Sequence, residues 1–64
     1  MATLKEIWDS KGLTIEEVAV KADVSIQTVY RMNRGAHVSL KSLRRVCQAL
    51  GITIEEYKAL DKDS

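Results

Sequence analysis

The chain has 64 residues, which allows a single domain and leaves no room for a deep substrate cleft. Apolar residues make up 45% and charged residues 30%, proline is absent, and no stretch approaches the roughly 18 consecutive apolar residues of a membrane span. The net charge is only +1, and the single cysteine, Cys47, excludes an internal disulfide and fits a reducing, cytoplasmic setting.

Five helices are predicted from the spacing of apolar residues and from the residues that start and stop helices. They cover roughly residues 3–11, 15–22, 26–33, 40–50 and 54–60 of a compact all-α bundle. Their core-facing positions are Leu4, Ile7, Trp8, Val18, Ala19, Ala22, Val29, Met32, Leu40, Leu43, Val46, Cys47, Leu50, Tyr57 and Leu60. Residues 1–60 are predicted to form the domain, and the polar residues 61–64 a frayed tail.

Glycine and threonine mark the ends and the starts of these helices. Gly12, Gly35 and Gly51 each follow a helical pattern, at the place where a helix commonly ends in a left-handed residue. After Gly12 and Gly51 the chain continues with an apolar residue, then Thr-Ile-Glu-Glu. Thr14 and Thr53 are therefore predicted to cap the second and fifth helices, each in a capping box with the glutamate three residues later.

The second and third helices are joined by the short segment Ala22-Asp23-Val24-Ser25, which is too short for antiparallel stacking. Two short helices connected in this way must cross steeply. Ala19 is the small residue that lets the two backbones approach. Asp23 tolerates the positive φ that the corner needs, although glycine would be easier. Residues 14–34 are therefore predicted to form a helix-turn-helix.

Charge is unevenly distributed along the chain. No acidic residue lies between Val24 and Ile54, whereas every arginine of the protein and His37 lie in that stretch. One interpretation is a basic face flanked by acidic ends, which would bind a polyanion. The other is chance segregation of surface charge.

Residues 13–60 resemble the helix-turn-helix family of phage Cro and repressor proteins. The matching residues are Leu13, Thr14, Val18, Ala19, Ala22, Val24, Ser25, Val29, Met32, Gly35, Ser39, Leu40, Leu43, Leu50, Gly51 and Ile54. The chain departs from the family pattern at Ile15, Asp23 and Asn33, where glutamine, glycine and glutamate are common. The resemblance implies a lambda-repressor-like bundle that acts as a sequence-specific transcriptional regulator on double-stranded DNA, in a bacterium or phage.

The third helix is predicted to read bases in the major groove, as the second helix of this motif does. Gln27 has the paired donor and acceptor that match adenine, and Arg31, one turn later, can bridge guanine. For both residues the alternative is an ordinary solvated face. Ile26 would contact a thymine methyl group or, alternatively, complete an apolar contact with the second helix.

Phosphate contacts are predicted around this helix. Thr14 and Ser39 stand at helix starts, where backbone N–H groups and the helix dipole attract anions. The other candidates are Thr28, Tyr30, Arg34, His37 and Lys41. For Thr28 and Tyr30, local capping or packing is an equal alternative. Of Arg44 and Arg45, one is expected to face the duplex and the other to form a surface ion pair.

No catalytic, metal-binding or cofactor-binding constellation is predicted. His37 and Cys47 lie ten residues apart without further ligands, and Cys47 falls on an apolar helix stripe. A homodimer is expected because one recognition helix reads few base pairs, with Tyr57 and Leu60 as its suggested interface. The alternative function is a helical protein-interaction module, like an antitoxin or adaptor, with DNA binding lost or secondary. Neither a membrane nor a small-molecule ligand is expected.

Overall fold

A computed structural model describes residues 2–62. The five helices are α1 (Leu4–Ser10), α2 (Ile15–Ala22), α3 (Ile26–Arg34), α4 (Leu40–Leu50) and α5 (Ile54–Lys58). Their order and places confirm the predicted all-α fold, although α5 ends two residues earlier than expected. Within residues 2–62 the one extended contact is an isolated bridge between Thr3 and Asp61.

The core forms around α2, which packs against α3 and α4. Val18, Val29 and Val46 from these three helices are completely buried, and Leu4 and Trp8 of α1 cover them from one side. Most predicted core positions are buried or half-buried as expected.

Leu40 is an exception, because the residue is 55% exposed. Burial rises along α4 from Leu40 through the half-buried Leu43 to Val46, so the first turn lies at the edge of the core. The apolar spacing alone placed Leu40 on the inner stripe, but the neighbouring helices do not cover that end. The prediction that Leu40 is a core residue is therefore wrong.

The first four helices end in the same backbone arrangement. Asp23, Gly35 and Gly51 directly follow α2, α3 and α4, and Gly12 lies two residues after the end of α1; the φ values of these four residues are 57°, 80°, 72° and 72°. At the corner between α2 and α3, the N–H of Val24 donates to the carbonyl of Ala19 at 3.0 Å, which is the Schellman pattern. This arrangement confirms the prediction that Asp23 supplies the positive φ of the corner.

All five helices begin at a threonine or serine whose hydroxyl accepts a backbone N–H three residues on. Both predicted capping boxes are present, at Thr14 and Thr53. The starts differ in charge, since the first turns of α2 and α5 carry two glutamates each and those of α3 and α4 carry no acid. The positive dipole ends of α3 and α4 are therefore not compensated locally.

The last described residues pack on the domain. The N–H of Asp61 donates to the carbonyl of Ala2 at 3.0 Å, and the ammonium of Lys62 lies 5.4 Å from the centre of the Tyr57 ring. These two residues thus contact the bundle, while the division into a domain of residues 1–60 and a frayed polar tail stays a prediction. Residues 63–64 of that tail lie outside the described residues.

Candidate nucleic-acid interface

The outer face of α3 carries most of the predicted site residues. Val29 and Met32 are 0% and 1% exposed and fix which side of the helix faces the core. The exposed residues Gln27, Arg31 and Arg34 follow each other at intervals of four and three, so they share one side of the helix. An open depression of about 500 Å³ lies along this side, lined by Gln27, Tyr30, Arg31, Arg34, Gly35 and Ala36. We call this surface the α3 face.

The α3 face holds positive charge without a nearby counter-charge. Among residues 2–62 the ion pairs join Lys5 to Asp9 at 2.8 Å and Arg45 to Asp23 at 3.8 Å. No described carboxylate therefore lies within 4.0 Å of the guanidinium groups of Arg31 and Arg34. Arg34 instead lies over the Tyr30 ring, 5.6 Å from its centre.

Arg45 is turned toward the helix-turn-helix corner. Besides its ion pair, its Nη1 donates to the backbone carbonyl of Asp23 at 3.3 Å. This contact agrees with the expectation that one of Arg44 and Arg45 forms a surface ion pair.

Ile26 and Tyr30 are apolar or aromatic residues that the bundle leaves accessible on α3. The two residues are 47% and 52% exposed, respectively. Ile26 lies in the first turn of the helix. Its side chain is open to a ligand that approaches the start of α3, and its role there stays a prediction.

The hydroxyl groups predicted to contact phosphate at the starts of α3 and α4 are engaged in helix caps. The Thr28 hydroxyl lies 2.9 Å from the hydroxyl of Ser25, the cap of α3. The Ser39 hydroxyl accepts the N–H of Ser42 at 3.2 Å and donates to its hydroxyl at 3.0 Å. An anion at the start of α3 or α4 would therefore bind chiefly to the backbone N–H groups of the first turn, which have no acceptor within the helix.

The start of α2 is less open to an anion than the sequence suggested. The N–H of Thr14 donates to the Glu17 carboxylate at 2.9 Å, and the Thr14 hydroxyl accepts the N–H of Glu17 at 3.2 Å. The capping box thus occupies the backbone N–H that was expected to be exposed at Thr14. The carboxylates of Glu16 and Glu17 also offset the helix dipole there.

His37, Ser39 and Lys41 lie on the segment that leads from α3 into the first turn of α4. All three are exposed, and none of them lines the depression on the α3 face. The structure therefore groups Gln27, Tyr30, Arg31 and Arg34 in one place and these three residues on an adjoining segment.

Two side chains that hold the end of α3 were missed by sequence reasoning. Asn33 is 4% exposed, and its Oδ1 accepts the N–H of Lys5 at 2.9 Å. The Tyr57 hydroxyl donates to the carbonyl of Met32 at 3.0 Å. The burial of Asn33, although not its bond to Lys5, could have been predicted from the sequence, because Asn33 follows the buried Val29 by four residues and thus shares the inner stripe. The Tyr57 bond has no signal in the sequence.

This geometry, two short helices crossing at a left-handed corner with a basic outer face on the second, is that of a helix-turn-helix DNA-binding domain. A family model described as helix-turn-helix matches residues 4–57 of the chain. The chain therefore belongs to the helix-turn-helix family of the Cro and repressor type, whose domains bind DNA and regulate transcription.

No curated protein and no solved structure matches the chain. Within residues 2–62, none of the helices is long and apolar enough to cross a lipid bilayer.

Proposed function

We propose that the protein is a sequence-specific transcriptional regulator that acts in a bacterial cytoplasm and inserts α3 into the major groove of double-stranded DNA. The observation that carries this proposal is the α3 face, where Gln27, Arg31 and Arg34 share one exposed side of the helix and no described carboxylate neutralises the arginines. A major groove is wide enough to admit an α-helix, and its phosphates attract the basic face.

Base reading is assigned to Ile26, Gln27 and Arg31. Gln27 would pair with adenine, Arg31 with guanine, and Ile26 with a thymine methyl group. Residues four apart on a helix are separated by about 6 Å along its axis, and successive base pairs by about 3.4 Å. Gln27 and Arg31 would therefore contact different base pairs of the same half-site.

Phosphate contacts are assigned to residues on and around the α3 face: Thr14, Thr28, Tyr30, Arg34, His37, Ser39 and Lys41. The start of α4, with Ser39 and Lys41, is the best supported of these, because its first turn carries no acid and its dipole end is uncompensated. Thr14 has the weakest support, since the capping box uses both its N–H and its hydroxyl and two glutamates offset the helix dipole there. Thr28 is half-buried, and its hydroxyl is bonded to that of Ser25.

A homodimer on a pseudo-palindromic operator completes the proposal, with half-sites about one helical turn apart. Tyr57 is only 9% exposed and its hydroxyl is bonded to Met32, so it can contribute little to a dimer interface. Of the two residues suggested from the sequence, the half-buried Leu60 is the better candidate.

Selection of bound sequences from a pool of random duplexes tests the proposal. The wild-type protein is expected to enrich a motif with two-fold symmetry. Gln27→Ala should relax the preference at one base position of each half-site, by about 1–3 kcal/mol. Gln48→Ala is the matched control, because Gln48 is exposed on α4 and lies away from the α3 face.

Absence of any enriched sequence would overturn the proposal and favour a protein-interaction module. If Gln27→Ala enriched the same motif as the wild type, the assignment of Gln27 as a base-reading residue would be wrong.

A further inference from the structure

The carbonyl of Met32 lies in the last turn of α3, where carbonyl groups run out of donors within the helix. It accepts the N–H of Gly35 at 3.1 Å and, from outside the helix, the hydroxyl of Tyr57 at 3.0 Å. Burial raises the pKa of the Tyr57 hydroxyl, and the nearby Cys47 adds to the effect. The hydroxyl therefore keeps its proton and remains a donor near neutral pH.

The chain after Tyr57 packs on the same end of α3. The ammonium of Lys62 lies over the Tyr57 ring, and its aliphatic chain covers Gly35 so closely that a Cβ there would be 2.5 Å from the Lys62 Cδ. Gly35 also lines the depression of the α3 face. The C-terminal part of the domain thus contacts the recognition helix directly at its exit.

We propose that Tyr57 is a positioning residue for base reading, which it supports by holding the end of α3 through the Met32 carbonyl. The inference rests on the proposed function. Val29 and Met32 hold the nine-residue helix to the core by apolar contacts, which are not directional. The bond of Asn33 to Lys5 and that of Tyr57 to Met32 are the directional contacts at the end of the helix. A hydrogen bond is directional, so it limits both translation of the helix along its axis and rotation about that axis.

The two kinds of DNA contact should respond differently to a loss of this bond. Bidentate contacts from Gln27 and Arg31 to base edges need close alignment, whereas phosphate contacts from flexible basic side chains tolerate small shifts. Removal of the hydroxyl should therefore weaken binding to the preferred sequence more than binding to unrelated sequence.

The test compares Tyr57→Phe with wild type on two 20-base-pair duplexes. One carries the sequence that wild type enriches most from the random pool, and the other is an unrelated sequence. Tyr57→Phe removes one oxygen and keeps the ring in the core. The control, Ile54→Val, removes one methylene from the same helix and leaves both partners of the Tyr57–Met32 hydrogen bond in place. Circular dichroism establishes that each variant is folded at the assay temperature.

The expected result is a drop of about fivefold in the ratio of the two affinities for Tyr57→Phe, comparable to the partial loss of one bidentate base contact, with an unchanged salt slope. Ile54→Val should keep the wild-type ratio, although it also lowers stability. Amide hydrogen exchange at Gly35 and Ala36 should be faster in Tyr57→Phe only.

If Tyr57→Phe does not fold, Lys62→Ala is measured in its place, because it removes the side chain that packs on the Tyr57 ring and on Gly35. The ratio of the two affinities should then fall in this variant. Lys62 is exposed, and the charge that is lost affects both duplexes alike. If the variant that folds has the wild-type ratio of affinities for the selected and the unrelated duplex, the inference is overturned and the proposed function still stands. Absence of any enriched wild-type sequence would overturn both.

Discussion

The corner between α2 and α3 allows a quantitative test of how the left-handed backbone conformation affects stability. Asp23 has φ 57° and ψ 48°, a conformation that brings Cβ close to the following carbonyl oxygen. An ordinary residue loses about 1–2 kcal/mol there, and aspartate loses less because its short polar side chain can hydrogen-bond locally. Its ion pair with Arg45 adds at most a few tenths of a kcal/mol, since the atoms are 3.8 Å apart and the Asp23 side chain is 93% exposed.

We therefore expect Asp23→Ala to lower the free energy of unfolding by about 1 kcal/mol. Asp23→Gly is the matched control, because it loses the same ion pair but has no Cβ. The strain that it relieves roughly offsets the entropy of glycine in the unfolded chain, so its stability should stay within about 0.5 kcal/mol of wild type.

Urea unfolding followed by the fluorescence of Trp8, which is 4% exposed, measures both variants. With a denaturant slope of about 1 kcal/mol per molar, the midpoint of Asp23→Ala should fall by about 1 M. Equal losses in the two variants would refute the reasoning, because they would show that the aspartate side chain, and not the left-handed backbone, determines the stability of the corner.

Asn33→Ala should lower the free energy of unfolding by about 1–3 kcal/mol, because the N–H of Lys5 loses the acceptor that Asn33 provides; an unchanged thermal midpoint would contradict the assigned role of this bond. Arg31→Lys should cost about 1–3 kcal/mol of preference at one base position, since an ammonium cannot bridge guanine with two parallel bonds. Competition with single-base variants of the selected duplex measures this loss, and an intact preference would exclude Arg31 from base reading. Lys41→Ala should weaken binding to all duplexes alike and reduce the slope of log K against log salt by about one unit, and an unchanged slope would remove Lys41 from the interface.

Features that depend on neighbours in the chain were predictable from the sequence. The capping boxes at Thr14 and Thr53 require residues only three positions apart, and the left-handed residues at Gly12, Gly35 and Gly51 follow from the absence of a Cβ. The shared side of Gln27 and Arg31 follows from helical spacing alone. These local rules also identified the helix-turn-helix.

Features that depend on contacts between distant segments were not predictable in this way. Leu40 fits the apolar period of α4, but its exposure depends on where the other helices end. The bonds of Asn33 to α1 and of Tyr57 to α3 join residues 28 and 25 positions apart. The packing of Asp61 likewise depends on the N-terminal segment. A polar or aromatic residue in a helix does not by itself reveal such a partner.

The salt dependence of binding to double-stranded DNA tests the central claim most directly. Fluorescence anisotropy of a labelled duplex, carrying the sequence that the protein selects, gives the binding constant at a series of salt concentrations. If a dimer neutralises about six phosphates, log K should fall against log salt with a slope of about −5. No duplex binding at low salt, or a flat response, would contradict the claim that the α3 face and the start of α4 bind DNA.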